Sequence, residues 1–202
     1  MSFYSIAPFI QEYYPQYYSI ETYPAAQCIT IHKVAEEWGL FCNFAHTPIV
    51  LYGVTFKSAE QLFQLMKFKE EEAVRAVFQA RNPKMTAKKW ERIHRRPDWG
   101  SMIVDAMKFC IQQKYEQHEA FQVMLKKSEG KYIVEDQTSF PKKAPDTWGT
   151  KLCEDHYTGP NLLGRLLMEL RENKRLDYHL PADALDFIQI LKNSFSCYQM
   201  NK

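Results

Sequence analysis

The sequence predicts an α+β fold that is mainly α-helical with a few short strands. Apolar residues recur at helical spacing through most of residues 58–128 and again after residue 160. Alternation typical of strands is confined to residues 28–32, 49–56 and 131–135. Because helix outweighs strand and the two are segregated along the chain, an α+β arrangement is predicted.

The first elements follow from turn and capping residues. Residues 49–56 predict two strands joined around Gly53. Ser58 predicts the start of a helix that runs to about residue 69. Gln61, three positions after Ser58, would complete a capping box.

Later helices are placed by polar caps at their starts and by glycine or proline beyond their ends. They are expected at about residues 73–80, at 83–94 with Asn82 as N-cap, from Asp98 onwards, at 119–128 before Gly130, at 161–173 with Asn161 as N-cap, and from Pro181. Residues 136–160, which contain three prolines, are expected to form a loop.

Composition limits the class of protein. The 202 residues have room for one domain, or for one domain with extensions. Five cysteines without a C-x-x-C pair favour reduced thiols and a cytoplasmic location. No apolar run is long enough for a membrane span. The net charge of +2 excludes binding to nucleic acid through bulk charge, and the seven glycines form neither G-x-G-x-x-G nor a P-loop.

Residues 1–28 form an aromatic-rich N-terminal extension in which eight side chains are Phe or Tyr. Three prolines interrupt any helical pattern in this extension. Two interpretations are open. The extension is either an arm packed on the domain surface, or an arm that binds a partner or a second copy of the chain.

The first candidate site is a polar stripe of Glu60, Gln64 and Lys67. These residues fall on one face of the predicted helix at positions i, i+4 and i+7. A solvated helix face is the ordinary meaning of such a stripe. Aromatic neighbours favour a site instead, because an apolar wall shifts the pKa of a carboxylate or an amine. The aromatic and amide-bearing neighbours are Phe41, Asn43, Phe44, Phe63 and Phe68.

A basic cluster lies between residues 81 and 99. Seven Lys or Arg stand there against two acids, Glu91 and Asp98, which gives a local charge of +5. The cluster is either a solvated helix face or a clamp for phosphate. Trp90 and Trp99 could stack a base or ring. Local charge on a nearly neutral chain favours a small phosphorylated ligand over a long nucleic acid.

A third candidate lies around Trp148 and Gly149, ahead of the helix that begins at Asn161. This arrangement suits an amphipathic ligand at a helix N-terminus, and a plain N-cap is the alternative for Asn161. Cys153 and His156 form a metal-like pair. Structural zinc needs a second pair at suitable spacing, so no metal site is predicted.

Several motifs occur in a fixed order along the chain. They are Gly39-Leu-Phe41-Cys-Asn43-Phe44, Ser58-x-Glu60-x-x-Phe63-Gln64-x-x-Lys67-Phe68, Arg96-Pro-Asp-Trp99, Trp148-Gly149, and Asn161-x-Leu-Gly-x-Leu-Leu-Met-Glu-Leu-Arg171. In this order they resemble the motifs of the NADAR family of YbiA-like proteins. The resemblance covers about residues 29–174 and departs from the family pattern at Cys42 and around Pro145.

The resemblance implies a single cytosolic NADAR domain at residues 29–174, between the extension of residues 1–28 and a C-terminal helical extension of residues 175–202. It implies an N-glycosidase that needs no metal or other cofactor. The implied substrates are ribosylamino-pyrimidine phosphates of riboflavin biosynthesis, or ADP-ribose attached to guanine, free or in nucleic acid.

The resemblance also implies roles for single residues. Glu60 is the expected general acid and base, and Lys67 the amine that forms a Schiff base with a ring-opened C1. The expected substrate-binding residues are Asn43 and Asn161 for ribose hydroxyls, Trp99 and Trp148 for the base, Arg96 for phosphate, and with them Phe41, Phe44, Gln64 and Gly149. The alternative is a non-catalytic module that binds ADP-ribose or a related nucleotide, with Glu60 and Lys67 as an ion pair. A further alternative is an interaction protein that uses the aromatic-rich extension.

Overall fold

The computed structural model describes residues 5–140 and 144–199, and the side chains of this part as far as residue 193. The described residues form two compact units. Unit 1 takes those within Met1–Ala45 and His118–Leu176, and unit 2 takes those within His46–Gln117 and Asp177–Lys202.

Helices outweigh strands, and the predicted α+β class is confirmed. In the described residues the helices are α1 Pro8–Tyr13, α2 Ala59–Leu65, α3 Glu71–Gln79, α4 Pro83–His94, α5 Trp99–Gln117, α6 Glu119–Lys127, α7 Leu162–Asn173 and α8 Phe187–Gln199. The strands are β1 Glu21–Pro24, β2 Cys28–Ile31, β3 Ile49–Leu51, β4 Val54–Phe56, β5 Tyr132–Glu135, β6 Lys151–Cys153 and β7 His156–Gly159. None of the described helices is long and apolar enough to cross a membrane.

Unit 1 is built on two small sheets and helix α7. Strands β1, β7 and β6 form an antiparallel sheet in that order, while β2 pairs in parallel with β5. Helix α7 lies so close to β5 that a Cβ atom on Gly164 would come within 2.0 Å of the carbonyl oxygen of Ile133. The glycine of the closing motif is therefore a packing requirement.

The described part of the aromatic-rich extension is packed within unit 1, as the first interpretation of it states. Tyr14, Tyr17 and Tyr23 are buried. The Tyr17 hydroxyl donates to the Glu169 carboxylate at 2.7 Å, and the guanidinium of Arg165 donates to the Tyr17 carbonyl at 3.1 Å. Strand β1, which the sequence patterns did not indicate, adds the extension to the sheet edge at β7.

The prediction that residues 136–160 form a loop is wrong for the second half of this segment. Strands β6 and β7 form a hairpin there, in which Leu152 faces Tyr157. Glu154 turns the chain with a φ of 56°. The strands were missed because β6 is short and largely exposed, so it carries no alternation of apolar and polar residues.

Unit 2 holds the predicted hairpin of β3 and β4 with helices α2, α3, α4, α5 and α8. Tyr52 and Gly53 at the hairpin turn both have positive φ, 49° and 82°, which matches the twist of the strands. The Asn82 cap is confirmed, since its side chain accepts a hydrogen bond from the Met85 amide at 3.1 Å. The last helix begins at Phe187 and not at Pro181, so its predicted start is wrong.

Candidate functional site

Helix α2 fixes the position of Glu60 and Gln64. Ser58 is its N-cap, as predicted, and the Ser58 hydroxyl accepts from the Gln61 amide at 3.2 Å. The reciprocal bond of the capping box is displaced by one residue, because the Gln61 side-chain oxygen accepts from the Lys57 amide. Glu60 lies in the first turn, and Gln64 lies one turn further along the same face.

Lys67 lies outside α2, so the prediction of one continuous helix to residue 69 is wrong. The helix ends at Leu65, and Lys67 follows in a turn. Two backbone contacts hold this turn: the Arg96 amide donates to the Lys67 carbonyl at 2.9 Å, and Phe68 forms a β-bridge with Arg95. The Lys67 backbone is therefore positioned by the segment that follows α4.

The polar stripe is buried, which overturns the solvated-face interpretation. Only 5% of Glu60, 3% of Gln64 and 8% of Lys67 is exposed. Burial of a carboxyl, an amide and an amine together costs stability unless each finds a partner. Their partners therefore decide what the cluster can do.

Glu60 and Gln64 form a hydrogen-bonded pair with one open end. The Gln64 side-chain nitrogen donates to the Glu60 carboxylate at 2.8 Å. The Gln64 side-chain oxygen is buried and has no hydrogen-bond partner among the described residues. Burial raises the pKa of the Glu60 carboxyl, against the opposing effects of Lys84, the Gln64 hydrogen bond and Lys67. The pair places a carboxyl whose pKa is raised beside an acceptor that lacks a donor.

Lys67 pairs with Glu91, a residue of α4, and not with Glu60. Its ammonium donates to the Glu91 carboxylate at 2.5 Å. The ammonium also lies 5.6 Å from the ring centres of both Phe63 and Trp99. Burial lowers the pKa of the Lys67 amine, although Glu91 and Glu60 act in the opposite direction. An amine with a lowered pKa is closer to its nucleophilic, neutral form.

An exposed basic stripe of Lys84, Lys88 and Arg95 runs along α4 and its C-cap residue, with the half-buried Glu91 between Lys88 and Arg95. Lys84 and Lys88 are one turn apart, and Arg95 lies two turns after Lys88. The charge of Lys84 lowers the pKa of Glu60, and the charge of Arg95 lowers the pKa of Lys67. The stripe is thus electrostatically coupled to both groups of the polar cluster.

Arg96 is not available to an anion, which corrects its predicted role in holding phosphate. Its guanidinium is 1% exposed and donates two hydrogen bonds to Asp98, at 2.6 and 2.7 Å, and one to Asp183, at 2.7 Å. These carboxylates raise the pKa of Arg96, the Asp98 hydrogen bond most strongly. Asp183 also pairs with Lys69. We call these four residues the Arg96 clasp.

The remaining predicted residues separate into buried and accessible ones. Trp99 is buried against Phe63, with ring centres 5.2 Å apart, so it walls Lys67 and presents no face to a base. In unit 1, Phe41 is fully buried between the rings of Trp38 and Phe121.

The predicted residues of unit 1 also differ in exposure. Gly149 is buried, Asn43 is 7% exposed, Phe44 is 42% exposed and Trp148 is half-buried. A part in substrate binding for Asn43, Phe44 and Trp148 stays a prediction.

Asn161 holds α7 on β5. It is fully buried, its side-chain oxygen accepts from the Glu135 amide at 3.1 Å, and its nitrogen donates to the Ile133 carbonyl at 2.9 Å. Asn161 is the N-cap residue of α7, as predicted, but its side chain makes no capping bond. Both ends of the amide bond to backbone groups and none of the residue is exposed, so the side chain packs α7 on β5.

Glu91 is the residue of the cluster that sequence reasoning missed. Its charge was counted only against those of its basic neighbours. Its spacing from Ala87, the buried residue one turn earlier on α4, is the signal that could have placed it on the inner face. Among the described residues no group of His, Cys, Asp and Glu could hold a metal ion.

Comparison with known proteins decides the family. The model of the NADAR domain matches residues 31–175. The N-glycosidase YbiA of Escherichia coli (strain K12) is 30% identical over 152 residues, which cover 74% of this chain and 89% of that protein. The chain belongs to the NADAR domain family.

Two further relatives and one solved structure are also similar to this NADAR chain. An N-glycosidase of Nostoc punctiforme is 26% identical over 152 residues, 73% of this chain and 92% of that protein. A riboflavin biosynthesis protein of Vibrio vulnificus is 27% identical over 183 residues, 87% of this chain and 46% of that protein. The NMR structure of E. coli YbiA matches with a TM-score of 0.60 at 28% identity, covering 77% of this chain and 91% of that one. The relatives with a stated activity are thus N-glycosidases.

Proposed function

We propose that this NADAR protein is an N-glycosidase that hydrolyses the C1–N bond of a ribosylated base. The proposed substrate is a ribosylamino-pyrimidine phosphate or ADP-ribosylated guanine. The observation that carries the proposal is the buried cluster of Glu60, Gln64 and Lys67. Its carboxyl has a raised pKa, its amine has a lowered pKa, and its amide has an unpaired oxygen. Perturbed groups in this combination are typical of catalytic sites.

The proposed reaction uses Glu60 first as an acid. Its proton goes to the ribose ring oxygen, the C1–O bond breaks, and the nitrogen lone pair forms a C1–N iminium. The neutral amine of Lys67 adds to C1, which gives a geminal diamine. A proton moves to the departing nitrogen, the base leaves as an amine, and C1 stays bonded to Lys67 as a Schiff base. Water then adds to C1 and releases the sugar aldehyde and the free lysine.

The substrate's phosphate is assigned to the stripe on α4. Lys84 and Arg95 are exposed, and their charges act on Glu60 and Lys67, whereas the guanidinium of Arg96 is buried and donates to two carboxylates. The unpaired Gln64 oxygen is assigned to a ribose hydroxyl, because a buried acceptor gains most from a donor that arrives with the substrate.

A panel of three compounds tests the activity. A ribosylamino-pyrimidine 5′-phosphate and guanosine ADP-ribosylated on its amino group are expected to release base. Guanosine monophosphate is the control, because its C1 is bonded to a ring nitrogen whose lone pair belongs to the aromatic system and cannot open the ribose. If neither substrate is cleaved while both raise the melting temperature, the non-catalytic binding module is the correct function.

Two variants test the assigned roles. Glu60→Gln and Lys67→Ala are each expected to lower kcat by about 10²-fold or more. Lys69→Ala is the matched control, since Lys69 lies two residues from Lys67 but pairs with Asp183. Borohydride added during turnover is expected to trap the sugar on Lys67, found by peptide mapping. Full activity in both variants, or an adduct on another residue, would contradict the assignment.

A further inference from the structure

The Lys67 amine needs a route for its proton. As an ammonium it cannot attack C1, so one N–H bond must break before the Schiff base can form. The same proton must return when the Schiff base is hydrolysed. Glu60 is unsuited to this task in the proposed reaction, because it is needed in its protonated form at the same moment.

Glu91 occupies the position that such a route requires. Its carboxylate oxygen lies 2.5 Å from the Lys67 nitrogen, in direct hydrogen-bond contact. The side chain of Lys67 is 11% exposed, whereas that of Glu91 is 26% exposed. The pair therefore leads from a buried amine to a carboxylate that solvent reaches.

We infer that Glu91 is a further catalytic residue, which takes the proton from the Lys67 ammonium and returns it when the Schiff base is hydrolysed. This inference rests on the proposed function. In the forward step the Lys67 N–H bond breaks, the Glu91 O–H bond forms, and the freed electron pair becomes the bond from nitrogen to C1. No other reactant is needed, since the proton moves between two residues that already share a hydrogen bond.

A structural role for Glu91 predicts a different outcome. The charged groups around Lys67 are Glu91 and Arg95 from the α4 segment and Glu60 from α2, while Phe63 and Trp99 are uncharged. If Glu91 only stabilises the ammonium, its removal lowers the pKa of Lys67 further. The rate of Schiff-base formation, which rises with pH as Lys67 loses its proton, would then rise at lower pH and reach the same plateau. If Glu91 carries the proton, the plateau itself falls, because the Lys67 nitrogen becomes positively charged again when it adds to C1 and must pass a proton on before the Schiff base forms.

The experiment measures Schiff-base formation on Lys67 as a function of pH. Ribose 5-phosphate is the probe, because its open-chain aldehyde reacts with an amine, and cyanoborohydride makes the adduct permanent. Glu91→Gln keeps an oxygen that can accept from the ammonium but cannot take a proton. We expect its plateau rate to fall about 10²-fold. Glu71→Gln is the matched control, since it breaks the surface ion pair of Glu71 with Arg75.

Chemical rescue is the second measurement. In Glu91→Ala the space of the partly exposed carboxylate is open, and we expect added formate to restore part of the plateau rate. Folding of each variant is checked by its melting temperature and far-UV circular dichroism. An unchanged plateau in Glu91→Gln, or no rescue in a folded Glu91→Ala, overturns the inference while the proposed function stands. A wild-type protein that forms no adduct on Lys67 overturns both.

Discussion

Replacement of Asn161 by alanine separates a structural from a ligand-binding role. The structure predicts a large loss of stability, because the fully buried side chain bridges α7 to β5 through a part-buried hydrogen bond from the Glu135 amide and a buried one to the Ile133 carbonyl. Truncation leaves one backbone N–H and one carbonyl without partners, at about 1–3 kcal/mol each. Asn161 also has a φ of 50°, which costs alanine about 1 kcal/mol more than asparagine. The expected loss is about 3–7 kcal/mol.

The measurement is urea unfolding followed by far-UV circular dichroism, together with hydrogen exchange at the Glu135 amide. Asn82→Ala is the matched control, since it removes one exposed capping bond on α4 and should cost about 1 kcal/mol. The Glu135 amide should lose protection in Asn161→Ala alone. The reasoning is refuted if both variants lose about 1 kcal/mol while Asn161→Ala raises KM tenfold, because asparagine would then bind ribose.

Three further outcomes are expected. The pH profile of kcat/KM should be a bell narrower than one bounded by the ordinary pKa values of 4.5 and 10.5, because the pKa of Glu60 is raised and that of Lys67 is lowered; a flat profile from pH 5 to 10 would contradict this. Gly164→Ala should destabilise by about 1–3 kcal/mol in urea, because its Cβ meets a β5 carbonyl, and unchanged stability would count against that contact. Lys69 and Arg96 hold the pKa of Asp183 at about 2, below its ordinary value of 3.8. The stability that the ionised Asp183 contributes is therefore present above about pH 4 and lost as the pH falls through 2. The stability difference between wild type and Asp183→Asn should shrink over that range. A constant difference would contradict a lowered pKa of Asp183.

Local signals predicted the starts of the site's elements, while contacts distant in sequence decided their ends. Ser58 and Asn82 cap helices as predicted, since a capping bond joins residues three apart. The end of α2 was missed because the apolar pattern continues past Leu65 to Phe68. There the chain leaves the helix to form a bridge with Arg95, a partner that no pattern within the helix indicates.

Arg96 shows that charges counted along the sequence are limited in the same way as predictors of a site. The sequence offers an arginine among basic neighbours, which is typical of phosphate binding. Its nearest acid, Asp98, is two residues away and visible, but the second carboxylate, Asp183, is 87 residues away. Only the fold brings Asp183 to Arg96. The count of local charges therefore predicted an arginine available to phosphate, whereas the structure has it bonded to two carboxylates.

The Arg96 clasp and the Glu60 cluster both contain buried polar groups, so burial alone would indicate a site at either. They differ in whether their hydrogen bonds are complete. The guanidinium of Arg96 is held by two carboxylates, an arrangement complete without any ligand. The oxygen of Gln64 is buried without a partner, next to a carboxyl whose pKa burial has raised. A fold gains nothing from such a group, and buried polar atoms without partners are rare in native proteins. The unpaired Gln64 oxygen beside Glu60 therefore supports the proposal that a substrate binds at this cluster.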